Sequence, residues 1–185
     1  KISNIVGIEP SDAFKRIKDK RINIINSFFD KKAAKIYLRK FKKANIITIT
    51  NVLAHVHKVN ELIANIKKVL DKNGKLIIEV PYILDMLKKS TFDLIYHEHL
   101  SYFNIHSLRY LLEKNNLRII DLKKINFGAS GPSLRVVASH KNNDFEENKN
   151  IKKLIKLEKL QKIDQFNTYL KFSHNVNKKI YKLRN

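Results

Sequence analysis

Nine residues hold most of the chemistry this chain could perform. Ile95-Tyr96-His97-Glu98-His99-Leu100-Ser101-Tyr102-Phe103 places two imidazoles, a carboxylate and two phenols side by side. An imidazole titrates near neutrality, a carboxylate can orient it, and a phenol can donate a hydrogen bond to a developing oxyanion. That set suits removal of a proton from a carbon next to a carbonyl. It suits a metal less well. In a strand His97 and His99 share a face while Glu98 points away, and in a helix neighbours at i and i+2 diverge. Neither arrangement gives the His-Glu-x-x-His pattern of a helical zinc site, so no metal is expected here. The plain structural reading stays open beside the chemical one: Tyr96, His97 and Tyr102 as half-buried fillers and Glu98 as an exposed charge.

A second group of polar residues points to the same region. Asn51 and His55, in "NVLAHV", follow the strand-like "IITIT", where the carboxyl end of a parallel strand opens toward the ligand crevice of an α/β sheet. Glu9 also stands at the end of a strand-like run. One rim carrying several polar groups is the expectation.

The elements that must position them alternate along the chain. "IVGIEPS" reads as a strand passing into a helix, with Ser11 or Asp12 as N-cap and helical spacing in "DAFKRIKDK". "INIINSFF" is a second apolar run and "KAAKIYLRKF" is helix-like. "ANIITITNVLAHV" begins as a β-branched strand. "VNELIANIKKVLDKNG" is amphipathic through Val59, Leu62, Ile63, Ile66, Val69 and Leu70, with a stop at Asn73-Gly74. "KLIIEVPY" is another strand. Strands separated by helices imply βαβ units, an α/β fold and a mainly parallel sheet. "IHSLRYLLEKNN" then reads as a helix, and "LRIIDLKKI" with "SLRVVASH" as a hairpin at the sheet edge, joined by a short glycine-containing turn. This domain is expected over 1–141, followed by a polar linker over 142–150 and a basic amphipathic helix over 151–185. The last segment carries ten Lys and Arg against two acids, and its Leu, Ile and Phe stripe implies a partner or further domain packed upon it.

Composition narrows the classes. At 185 residues the chain can bury a real core. It has no cysteine, which excludes a disulfide, a thiolate zinc site and a cysteine nucleophile within these residues. No apolar run approaches the roughly 20 residues of a membrane span, and no secretory signal opens the sequence, so a soluble, cytoplasmic protein is the default. The net charge of +21 raises the question of nucleic acid. The charges are mostly lysine, are spread along the chain and come with no nucleic-acid-binding motif, so attraction of a small anionic substrate is the simpler use.

In order, "VGIEPS", "INSFF", "NVLAHV", "EVPY", "FDLIYHEHLSYF" and "GPSLRVV" resemble the S-adenosylmethionine-dependent sugar C-methyltransferases, which act on nucleotide-linked keto-deoxysugars. "YHEHLSYF" is the most specific of these runs, and together they cover residues 6–137. The resemblance implies a Rossmann-like methyltransferase sheet. It assigns Glu9 to the ribose hydroxyls of the cofactor, Asn51 to the methionine moiety, and Phe28 or Phe29 to the adenine. It makes His99 the base that removes a proton alpha to the sugar ketone, with Tyr96, Glu98 and His55 positioning the sugar, polarising its oxygen or orienting the base. It also implies that the family's glycine-rich cofactor loop lies before Lys1 and that further domains flank these residues. The chain is then an internal piece, expected to bind the cofactor weakly by itself. Where the family has Gly-Gly before "SLRV", this chain has Gly131-Pro132. Two other readings stay open: a non-catalytic remnant or interaction domain of the same fold, and a basic nucleic-acid-binding protein.

Overall fold

The computed structural model describes residues 4–128 and 131–184. Two short β-branched runs, β1 (Ile5–Ile8) and β2 (Ile22–Ile25), pair in parallel as a sheet of their own. The segment between them has helical spacing but builds only one 3₁₀ turn, Asp12–Arg16, capped by the Ser11 hydroxyl. This turn buries no residue, so no packed face extends it into a longer helix. Past β2, Asp30 accepts from the Ala33 N–H and starts α1 (Lys31–Lys40).

The second sheet has four strands in the order β3 (Ala44–Thr50), β4 (Leu70–Pro81), β6 (Gly131–His140) and β5 (Leu117–Gly128). β3 and β4 are parallel and are joined through α2 (Val59–Val69), a βαβ unit. β6 runs antiparallel to both β4 and β5, which puts the hairpin at the sheet edge with β5 outermost. The sheet is therefore mixed. The turn expected between the hairpin strands falls at 129–130, outside the described residues. Gly131, at φ +82°, holds a left-handed conformation that glycine adopts without steric cost.

Burial follows the amphipathic pattern. Leu62, Ile63 and Ile66 of α2 are buried in one cluster with Leu76, Ile78 and Val80 of β4, and Val69 is buried as well. The register places Ile78 opposite Val136 and Val80 opposite Leu134, so β6 continues the same apolar face. Leu108, Leu111 and Leu112 of α4 (Ile105–Lys114) complete this core with Leu117, Ile119 and Leu122 of β5.

The stop expected at Asn73-Gly74 comes earlier. α2 ends at Val69 and β4 begins at once with Leu70, which pairs with Ala44 before the register shifts and Lys75 pairs with Ile46. Gly74 lies inside that irregularity, where an added Cβ would stand 2.8 Å from the Ala44 carbonyl oxygen and 2.8 Å from Leu70 Cδ1. Gly74→Ala is expected to destabilise the fold by about 1–3 kcal/mol, as overpacking does. Urea denaturation measures this, and an unchanged midpoint would show that the bulge yields freely.

Two further differences concern the second half. A short helix absent from the sequence reading, α3 (Ile83–Lys89), follows β4 directly. The single basic helix expected over 151–185 is two, α5 (Lys149–Leu160) and α6 (Phe166–Arg184). Ile151 and Leu154 of α5, and Ile163 after it, are buried in the chain's own core, so part of the apolar stripe is covered internally. α6 buries no residue and leaves Phe166 and Leu170 exposed. The polar segment before α5 is tied to β5, because Arg118 donates to the carbonyls of Asn143 and Phe145. Among the described residues no helix is long and apolar enough to cross a membrane.

Candidate active site

The candidate residues follow the carboxyl ends of parallel strands, as an α/β crevice requires. Glu9 follows β1, Phe28 and Phe29 follow β2, Asn51 and His55 follow β3, and Tyr96 to His99 lie in the long connection between β4 and α4.

His99 is the centre. The residue is 8% exposed, and its ring is walled by Tyr96 at 4.2 Å, His55 at 4.8 Å and Tyr102 at 6.1 Å between ring centroids. Nδ1 lies 2.8 Å from the Leu94 carbonyl oxygen, and a carbonyl only accepts, so Nδ1 carries the hydrogen. In the neutral ring Nε2 is then a bare lone pair, and the Tyr96 hydroxyl lies 2.9 Å from it as donor. The same logic applies to His55. Its Nδ1 donates to the Glu98 carbonyl at 3.0 Å, which leaves its Nε2 as an acceptor. Tyr102 donates to Leu94 as well, at 3.3 Å, and burial raises the phenol's pKa.

Local turns hold this arrangement. The N–H groups of Leu100 and Ser101 both donate to the Ala54 carbonyl, which ties the His99 loop to the 3₁₀ turn Leu53–His55. Leu53 and Ala54 are buried, so that turn is anchored in the core.

Glu98 meets the site through its main chain. Its carboxylate is 63% exposed and lies 3.8 Å from His97, which is 90% exposed. Among the described residues no three His, Cys, Asp or Glu side chains gather as a metal would need.

Asn51 has φ +55°, a conformation that asparagine tolerates better than most side chains, and its N–H donates to the Glu79 carbonyl. Its Oδ1 is buried with no partner among the described residues. Glu9 accepts from both the N–H and the hydroxyl of Ser11 through Oε1, and these bonds hold its carboxyl below the usual range. Phe28 is 76% exposed, whereas Phe29 packs against the core. Glu9, Phe28 and Phe29 sit with the two-stranded sheet and share no hydrogen bond or ring contact with the histidine cluster.

Three functional candidates escaped the sequence reading. Tyr82 is fully buried just past the end of β4 and Glu158 is buried on α5. Glu79 is buried in β4 and bonded by Ser133 and Arg135. "EVPY" marks the first and last of these as strand-end residues, but nothing local distinguishes Glu158 from a solvated helix charge.

The fold is shared with solved structures of other proteins. LepI in complex with SAM superposes with a TM-score of 0.58 at 14% identity, covering 76% of this chain and 37% of LepI. A SAM-dependent methyltransferase from Anabaena variabilis gives 0.55 at 13% identity, covering 74% and 68%. The chain belongs to the methyltransferase domain family, whose model matches residues 1–122, and a C-methyltransferase C-terminal domain matches residues 128–185. It is also 26% identical to the C-methyltransferase NovU of Streptomyces niveus over 170 residues. That alignment covers 91% of this chain and 40% of NovU.

The residues present fit S-adenosylmethionine chemically. The buried, unpartnered Asn51 Oδ1 is an acceptor that a donor such as the ammonium of the methionine moiety would satisfy. The Glu9 carboxylate is an acceptor of the kind that ribose hydroxyls bind.

Proposed function

We propose that this protein takes part in S-adenosylmethionine-dependent C-methyl transfer to a nucleotide-linked keto-deoxysugar, with His99 as general base. One observation carries the reading: a nearly buried imidazole whose Nδ1–H is committed to a carbonyl and whose Nε2 lone pair faces the polar cluster. The family assignment and the likeness to NovU support it.

Asn51 and Glu9 would hold the cofactor, with Phe28 or Phe29 against its adenine. When bound, the cofactor supplies an electrophilic sulfonium methyl. The protein's own part is to create a nucleophilic carbon. Nε2 of His99 takes the proton alpha to the ketone, and the imidazolium keeps its Nδ1–H on the Leu94 carbonyl. The Tyr96 hydroxyl, freed from Nε2 as the substrate arrives, donates to the oxygen where negative charge gathers. His55 offers its free Nε2 to a sugar hydroxyl. Burial of the His99 ring keeps water from competing for the proton.

The test separates the two half-events. A nucleotide-linked 4-keto-deoxysugar incubated with the protein in heavy water is expected to take up deuterium alpha to the ketone. Adding methyl-labelled S-adenosylmethionine should then place the label on that carbon. Label on an oxygen or nitrogen, or no exchange and no transfer, would sink the reading.

A further inference from the structure

We propose that Glu158 is a positioning residue for the His99 site, a carboxylate that closes the stem of the loop on which the base is carried. Residues 83–104 leave the sheet after Tyr82 and return at Ile105, the first residue of α4. The two stems already touch, since Tyr82 and Phe103 form an isolated parallel bridge and the Ile83 N–H donates to the Phe103 carbonyl at 3.2 Å. Across this junction one oxygen, Oε1 of Glu158, accepts from the Tyr82 hydroxyl and from the Ile105 N–H, both at 2.8 Å. Tyr82 and Ile105 are fully buried and Glu158 is 4% exposed.

The segment between these stems carries Leu94, Tyr96, Glu98, His99 and Tyr102, and apart from this junction it is held to the Leu53–His55 turn by the Leu100 and Ser101 N–H groups on the Ala54 carbonyl. The sequence makes this arrangement unusual. α5 is strongly basic, and its acid is turned inward while its lysines stay at the surface. Burying a carboxylate is unfavourable, and here burial raises the carboxyl's pKa despite the bonds it accepts. An apolar side chain would fill the site without that penalty but could not bind a hydroxyl and a helix N-terminal N–H together. The C-terminal helical segment thereby bonds to both stems of the loop, while α6 reaches only its early part, where Lys179 donates to the Lys89 carbonyl. Only the catalytic half of this inference rests on His99 being the base.

Amide hydrogen exchange on the full protein tests the mechanical half without any substrate. Two lost hydrogen bonds should raise opening of the loop about tenfold. In Glu158→Ala, exchange is expected to accelerate by about that factor over residues 94–103, with 76–80 of β4 and 134–138 of β6 as protected as before. Glu158→Gln keeps Oε1 as an acceptor and should restore the native pattern. Substrate proton exchange should fall in the alanine variant and recover in the glutamine variant. Native protection at 94–103 in Glu158→Ala overturns the proposal, as does equal loss of protection in β4 and β6 or failure of glutamine to rescue. Should the alanine variant not fold, Tyr82→Phe removes one of the two bonds and keeps the ring. It is then expected to accelerate exchange at 94–103 about threefold, and no acceleration there overturns the proposal. If loop exchange responds as stated while substrate exchange does not, the positioning role stands and the base assignment fails.

Discussion

Glutamine at position 99 is expected to slow deuterium uptake at the substrate's alpha carbon by roughly 10² to 10⁴-fold, the range general bases contribute. Glutamine keeps a polar side chain of similar reach, so the loop should retain its fold, but its amide cannot accept a proton near neutral pH. Substrate affinity is expected to change little, because the loss falls on the proton-transfer step. Tyr96→Phe provides the scale. It leaves the imidazole and its Leu94 bond in place and removes the hydroxyl that would donate to the developing oxyanion, so its loss should be roughly 10²-fold, as for one oxyanion donor. A His99→Gln rate within threefold of the parent would remove the imidazole from the mechanism.

Arg135→Ala is expected to cause one of the larger stability losses available to a partly exposed residue. Glu79 stands in β4 with its side chain 7% exposed. Its Oε1 accepts from the Ser133 hydroxyl at 2.7 Å, and its Oε2 accepts from Arg135 Nε at 2.8 Å and Nη2 at 2.7 Å. Burial pushes this carboxyl up, but the Ser133 hydroxyl and the Arg135 guanidinium outweigh burial and hold it below the usual range. Removing the arginine strands a buried carboxylate on a single donor. Losing one partner of a fully buried pair costs about 3–5 kcal/mol. Arg135 is 47% exposed and water screens part of the interaction, so about 2–3 kcal/mol is the expectation here. The sign of the pH dependence follows from the lowered pKa. The stability this carboxylate contributes is present above the ordinary glutamate range and is lost as pH falls through its folded value. The gap between parent and variant should therefore be widest near pH 7 and narrow in acid, as urea denaturation at several pH values would show. An equal gap throughout would assign the loss to packing of the arginine stem.

Local pattern carried most of the fold. The apolar spacing through Leu62, Ile63, Ile66 and Val69 is a strong helical signal because every one of those residues faces the core. The start of β4 was hidden because Leu70 continues the helical spacing, while its pairing with Ala44 is a long-range event that no window of sequence contains. α3 was hidden by brevity, since seven residues after a proline give too few turns to read. At the candidate site, the cluster around His99 is concentrated in sequence and so could be seen. Glu158 lies 53 residues beyond Ile105 and 76 beyond Tyr82, and its role exists only once β4, α4 and α5 have met.

Leu94 gives that cluster a property of a different kind. The atom that selects which nitrogen of His99 is free belongs to the main chain, and the same holds for Glu98 beneath His55. No side chain encodes either choice. A survey of point substitutions would pass over position 94 as tolerant, since almost any residue there presents the same carbonyl. The proton-accepting face of the imidazole is thus inherited from the path of the backbone. Changes that reroute the loop, such as a one-residue deletion between Leu94 and His99, can reverse it while every residue with visible chemistry remains.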